Sequence, residues 1–168
     1  MKRYKNIFLA VALGILAVSC ESYDEYWVDT ELDFETEIDV RASGRFNQII
    51  RVDETYINDY SPARERLLDI NLISSWIQIS NLTRYDRVTL SIIANDDMVY
   101  DFRGVISGNH ENMFYIEDDG YYDLMLYAMD IIKTRGYVDL EIIGTSNISD
   151  GGPLVFTFKN AIDAYMRD

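Results

Sequence analysis

Leu154-Val155-Phe156-Thr157-Phe158-Lys159-Asn160-Ala161-Ile162-Asp163-Ala164-Tyr165-Met166 is the stretch that decides the fold class. Leu154, Phe156, Phe158, Ile162, Ala164 and Met166 fall on one face of an extended chain. A period of two is the mark of a strand with one buried side, whereas a helix repeats every 3.6 residues. Thirteen residues at the strand rise reach about 43 Å. A strand of that length is expected to bend or to change sheets. Ser149-Asp150-Gly151-Gly152-Pro153 supplies the turn before it.

The same period recurs upstream. Tyr137 to Gly144 alternates through Val138, Leu140 and Ile142, and Arg87 to Ala94 through Val88, Leu90 and Ile92. Met98, Tyr100, Phe102 and Ile106 share a face, with Gly104 a candidate bulge, and Met113 to Ile116 reads as a shorter strand. From Asp69 to Leu82, Leu68, Ile70 and Leu72 alternate, as do Ile77 and Ile79, with Ser74-Ser75 between. That predicts one kinked strand or two. Phe34, Thr36, Ile38 and Val40 alternate with Glu35, Glu37 and Asp39, and Phe46, Gln48, Ile50 and Val52 line a second face beyond Ala42-Ser43-Gly44. Two strands separated by such a turn predict a hairpin over 34–52. Seven to nine short strands with tight turns predict an all-β protein, an antiparallel β-sandwich of the immunoglobulin-like or a related kind.

One segment departs from this period. Tyr121, Leu124, Met125, Ala128, Ile131 and Ile132 recur at helical spacing. Asp118 and Asp119 precede them, where negative charge suits the helix dipole. Lys133 and Arg135 occupy the last turn and Gly136 suits a left-handed cap. An amphipathic helix is therefore predicted near 120–135. Ser61-Pro62 has the form of an N-cap and first helical residue, predicting a short helix near 61–67.

The chain has 168 residues, 29 acidic and 15 basic, for a formal net charge of −14. Its 48% hydrophobic content rules out a disordered chain. An acidic balance argues against nucleic acid, whose phosphates demand a basic surface. One cysteine excludes an internal disulfide and a Cys-based zinc site, and one histidine excludes a multi-histidine metal centre.

Lys2, Arg3 and Lys5 precede the apolar run from Ile7 to Val18. As a helix that run spans about 18 Å, short of a bilayer core of roughly 30 Å, so it reads as a secretory signal. Ala17-Val18-Ser19-Cys20 closes it and resembles a bacterial lipobox, although Leu16 sits one position further from the cysteine than is usual. The resemblance implies that the Cys20 thiol receives diacylglycerol and that cleavage removes residues 1–19. The competing readings of Cys20 are a buried core cysteine and a plain signal peptide cut nearby. Several acyl chains anchor stably where one binds marginally. A chain cut there keeps 12 basic and 29 acidic residues, a net charge of −17.

Residues 21–33 carry Glu21, Asp24, Glu25, Asp29, Glu31 and Asp33 without a base, and self-repulsion favours an extended tether over 20–32. Tyr23, Tyr26 and Trp27 are unusual in a pure linker. Acids just after the cysteine resemble the surface-export signal of Bacteroidota lipoproteins; the alternative is a solvated spacer. Arg135-Gly136, Gly144-Thr145-Ser146 and Pro153 to Phe158 are similar to the carboxyl-terminal part of small Bacteroidota surface lipoproteins. That resemblance implies a lipid-anchored sandwich over 33–168 and brings no active site with it.

A search for chemistry finds little. Ser, Cys or Thr nucleophiles need a neighbouring base, and His110 lies in a polar turn, Ser107-Gly108-Asn109-His110. No glycine pair has the lysine of a phosphate loop. Asp118, Asp119 and Asp123 cluster as weak candidate Ca²⁺ ligands, but without the alternating order and distal Glu of an EF-hand, and helix N-capping, the favoured reading, explains them without a metal. Thirteen tyrosines and two tryptophans can build a stacking face for sugar or peptide. Trp27, Tyr56, Tyr60, Trp76 and Tyr85 are the candidates; Trp76 reads as core, while Tyr56 and Tyr60 lie in a polar loop and are the ligand-contact candidates.

The expectation is a non-catalytic, lipid-anchored binding or assembly module of the bacterial outer membrane, facing the cell surface. Its partners would be the membrane, through the lipid on Cys20, and a glycan or protein ligand, with no other cofactor. The rival from another class is a carboxylate-based hydrolase of envelope or dietary glycans, which needs two carboxylates about 5 to 9 Å apart in a cleft.

Overall fold

In a computed structural model, residues 23–40, 44–62, 64–148 and 152–168 are described. The expected signal segment, with Cys20 and Glu21, lies outside the described residues. Among the described residues nine strands and one α-helix follow one another: β1 (Glu25–Glu31), β2 (Phe34–Ile38), β3 (Arg45–Asp53), β4 (Arg66–Ser80), β5 (Val88–Ala94), β6 (Met98–Asp101), β7 (Met113–Ile116), α1 (Asp119–Arg135), β8 (Tyr137–Ser146) and β9 (Leu154–Arg167). A turn of 3₁₀-helix, Glu54–Tyr56, follows β3.

The strands form two antiparallel sheets. One runs β1-β9-β4-β7, with β2 continuing the β1 edge of β9; the other runs β3-β8-β5-β6. The pairs β2–β9, β3–β8, β4–β7 and β5–β6 are nested, early strand with late. Such nesting is a long hairpin rolled on itself, which is the eight-stranded jelly roll with β1 added. The sandwich is thus of the related kind, connected differently from the immunoglobulin domain.

Three sequence expectations change here. The predicted hairpin over 34–52 does not form: β2 pairs with β9 and β3 with β8, in different sheets. Both strands have the right alternation, but each pairs edge to edge with a strand from the far end of the chain, 84 to 124 residues away in the register. The segment near 61–67 is no helix among its described residues. Arg64 N and Glu65 N both donate to Ser61 O, and the chain enters β4 at Arg66. The tether expected over 20–32 is folded from Glu25, where β1 pairs with seven residues of β9. Trp27 and Tyr26 explain why: their rings pack on the domain.

β9 neither leaves its sheet nor breaks. It pairs along its length with β4, whose two register shifts, at Leu67/Asp69 and Leu72/Ser74, absorb the bend. Position 160 interrupts its apolar face with a buried asparagine. Asn160 Nδ2 donates to Leu32 O at 2.7 Å, and its Oδ1 accepts from Ser75 Oγ at 2.6 Å. Leu32 N donates back to Asn160 O at 2.9 Å. These bonds fasten the chain where β9 exchanges β1 for β2 as its neighbour, and leave no polar atom of the asparagine side chain unpaired.

The core lies between the sheets. Phe156, Phe158, Ile77, Ile79, Leu140 and Ile142 are almost wholly buried. Phe34 stacks on Phe158 with ring centroids 4.4 Å apart. The helix predicted near 120–135 is present. It buries Tyr121, Leu124, Met125, Ala128, Met129 and Ile132 against β4 and the second sheet. Asp118 caps it by accepting from Tyr121 N, and Gly136 closes it in the left-handed conformation.

Candidate functional site

The sequence candidates land apart from one another. Tyr56 is 40% exposed and meets Phe34 edge-on at 6.0 Å. Tyr60 is half-buried; its hydroxyl donates to Glu65 O at 3.2 Å and accepts from Leu67 N at 3.3 Å. It therefore braces the turn before β4. Tyr85 stands exposed in a loop under the Arg84 guanidinium, 4.7 Å from the ring centroid. His110 is exposed beside Glu111 at 3.6 Å.

Asp118 and Asp123 border a cleft of about 500 Å³ between β6 and the start of α1, with Tyr100, Asp101 and Arg103 on its wall. Asp118 is fully engaged there. Its Oδ1 accepts from Tyr121 N at 2.9 Å and its Oδ2 from Tyr100 Oη at 2.6 Å. Burial and the Asp118 carboxylate together push the Tyr100 phenol far above its ordinary range, so it stays a donor. Among the described residues no group of three or more His, Cys, Asp or Glu side chains is placed to hold a metal ion.

The outer face of the β1-β9-β4-β7 sheet assembles what the sequence scatters. Alternation along β9 sends Ile162, Ala164 and Met166 inward, so Asp163 and Tyr165 face outward. Register then places Trp27 beside Tyr165, Asp29 beside Asp163, and Asn71 on the other side of Asp163. Trp27 stacks on Tyr165 at 4.9 Å with 22° between the planes, yet stays 52% exposed. Further along, Trp76 opposes Lys159 and meets Tyr115 of β7 at 5.8 Å. Tyr115 is 47% exposed. Trp76, expected in the core, is half-buried on this outer face, because the Leu72/Ser74 bulge sends Ser75 and Ile77 inward. Tyr165, Tyr115 and the Asp29–Asp163 pair were not legible as a site. The alternation of β9 gives their direction but not their neighbours.

Electrostatics on the face are local and mostly paired. Glu25 is held below the usual carboxylate range by hydrogen bonds from the Tyr165 hydroxyl, at 2.7 Å, and from Arg167. Lys159 is bound by Asp33, which raises the ammonium, and Lys133 of α1 reaches Asp69 at 2.7 Å. Asp163 is the exception. It hydrogen-bonds to the Asp29 carboxyl, which with partial desolvation raises it above the ordinary aspartate value. Its Oδ1 is buried with no fixed donor in reach. Two carboxyls in contact share a proton in preference to both being charged. They are too close for the water or sugar carbon that glycoside hydrolysis needs between its two acids.

A jelly-roll sandwich with an open aromatic and acidic sheet face is the class of protein these features define. No family model matches the chain, and no curated protein matches it. Solved structures similar to it include turnip yellow mosaic virus, at 8% identity and TM-score 0.40, covering 84% of this chain and 82% of that one. The empty head of the same virus aligns at 10% identity and TM-score 0.41, with the same coverage. Desmodium yellow mottle tymovirus aligns at 10% identity and TM-score 0.35, covering 82% of this chain and 88% of that one. Nothing about this chain's function follows from likenesses so distant.

Proposed function

We propose that this chain is a non-catalytic binding or assembly module, anchored through a lipid on Cys20 to the bacterial outer membrane and facing the cell surface. One structural observation carries the binding part: the β1-β9-β4-β7 face exposes two aromatic pairs, Trp27–Tyr165 and Trp76–Tyr115. Trp27 stays 52% exposed and Tyr115 47%, and covering such rings with a ligand is favourable. The lipid anchor rests on the resemblance of residues 17–20 to a lipobox.

The test has two arms. Cys20→Ala should move the protein out of the membrane fraction or leave an uncleaved precursor, and a variant that fractionates like wild type would remove the anchor. The detergent-solubilised full chain should bind members of a mixed glycan and peptide array, and Trp27→Ala with Trp76→Ala should abolish the signal. Turnover of a glycoside substrate, lost on changing two neighbouring carboxylates without unfolding, would establish a hydrolase instead.

A further inference from the structure

We infer that the ligand of this face is a neutral glycan chain, lying across the sheet from Trp27–Tyr165 to Trp76–Tyr115. The inference rests on reading the chain as a binding module and adds the class of ligand. The chain has two tryptophans, and both stand on this one face, on different strands, each against a tyrosine. A core needs neither to be there. Pyranose rings have an apolar C–H face that covers an aromatic ring and a rim of hydroxyls that needs planar, two-oxygen partners. Asp29, Asp163 and Asn71 form a single cross-strand row, one pleat from the Trp27–Tyr165 row on the way to Trp76. The carboxylate oxygens of that row accept from vicinal hydroxyls, and the Asn71 amide both donates and accepts.

Size and charge narrow the ligand. Tyr165 and Lys159, which stand beside the two tryptophans, are six residues apart on β9, about 20 Å at the strand rise. Several linked sugars fill that span and a monosaccharide does not. Carboxylates dominate the face: Glu25, Asp29, Glu31, Asp33, Glu35 and Asp163. Arg167 and Lys159 are already held by Glu25 and Asp33, which leaves Arg66, opposite Arg167 in the register, as a lone cation against six carboxylates. Sulfated or uronic polymers would meet repulsion here. A peptide added to the free edge of β1 would bond main chain to main chain along that edge, whereas the aromatic pairs stand on the open face beside it.

Because both tryptophans are in the site, intrinsic fluorescence reads it directly. The detergent-solubilised full chain is titrated with soluble neutral glucans, mannans, xylans and galactans, and with heparin and polylysine as charged controls. At least one neutral glycan should shift the emission and shield it from acrylamide quenching. Trp27→Ala and Trp76→Ala should each weaken its binding about tenfold, measured calorimetrically. Trp27→Phe should recover part of the loss, and Tyr56→Ala, off the face, should change nothing. Circular dichroism confirms that each variant is folded. Silence across the neutral panel, or binding unaffected by both tryptophan variants, overturns the inference. Should polylysine or array peptides bind through the tryptophans while all neutral glycans fail, the binding module stands and the glycan falls.

Discussion

Gly136 has φ 82° and ψ −12° at the end of α1, and a Cβ built there meets nothing within 4 Å. Any cost of a side chain at this position is therefore backbone strain, not collision. A β-branched residue in the left-handed region costs about 1–2 kcal/mol. Gly136→Val should lower the thermal midpoint accordingly and Gly136→Asn by much less; an unchanged melt for valine would mean the helix ends elsewhere. Asp163 gives a prediction of opposite character. Its carboxyl is raised in the folded protein by contact with Asp29. A raised acid binds its proton more tightly when folded, so its stabilisation is complete at low pH and lost as pH rises through the raised value. Asp163→Asn keeps a donor against Asp29 and never titrates. The variant should melt above wild type at pH 8, with the gap closing by pH 4. A gap that is the same at both would show that the two carboxyls do not share a proton.

At the scale of elements, β1 is the piece that separates this molecule from a plain eight-stranded roll. It pairs only with β9, through Tyr26↔Met166, Val28↔Ala164 and their neighbours. Glu25 is tied to Tyr165 and Arg167, and Tyr26 Oη donates to Glu65 at 2.9 Å, which raises the phenol to about 12. Removing residues 1–31 should leave the nested pairs able to fold, with a lower urea midpoint and a smaller m-value, because less surface is buried. An unchanged midpoint would return this segment to the role of a tether. β1 also changes how the proposed export signal is tested. Glu25 is structural, so Glu21 and Asp24 alone should be replaced with alanine.

For the whole molecule, the proposed exposure at the cell surface has a direct test. Protease added to intact cells should digest the wild-type protein while a periplasmic control survives. The Glu21→Ala, Asp24→Ala variant should become resistant without leaving the membrane fraction. A wild-type protein that resists on cells but not when purified would face the periplasm. Persistent digestion of the variant would make the acidic stretch a spacer.

Much of the architecture was written in side-chain alternation. The β class, the helix over 119–135, its aspartate cap and its glycine end follow from residues close in sequence, because backbone hydrogen bonding and facial burial are local demands. Strand pairing was not legible. Phe34–Ile38 and Arg45–Asp53 have every mark of a hairpin, yet each prefers a carboxyl-terminal strand, since register records which face is apolar and not which strand will cover it. The candidate face was hidden for the same reason. Trp27, Asp29, Asn71, Trp76, Tyr115, Asp163 and Tyr165 lie on four strands, and only the rolling of early strands against late ones makes them neighbours. Composition by itself determined that the protein had aromatic and acidic side chains to spare. The tertiary structure alone decided that they share one side of one sheet.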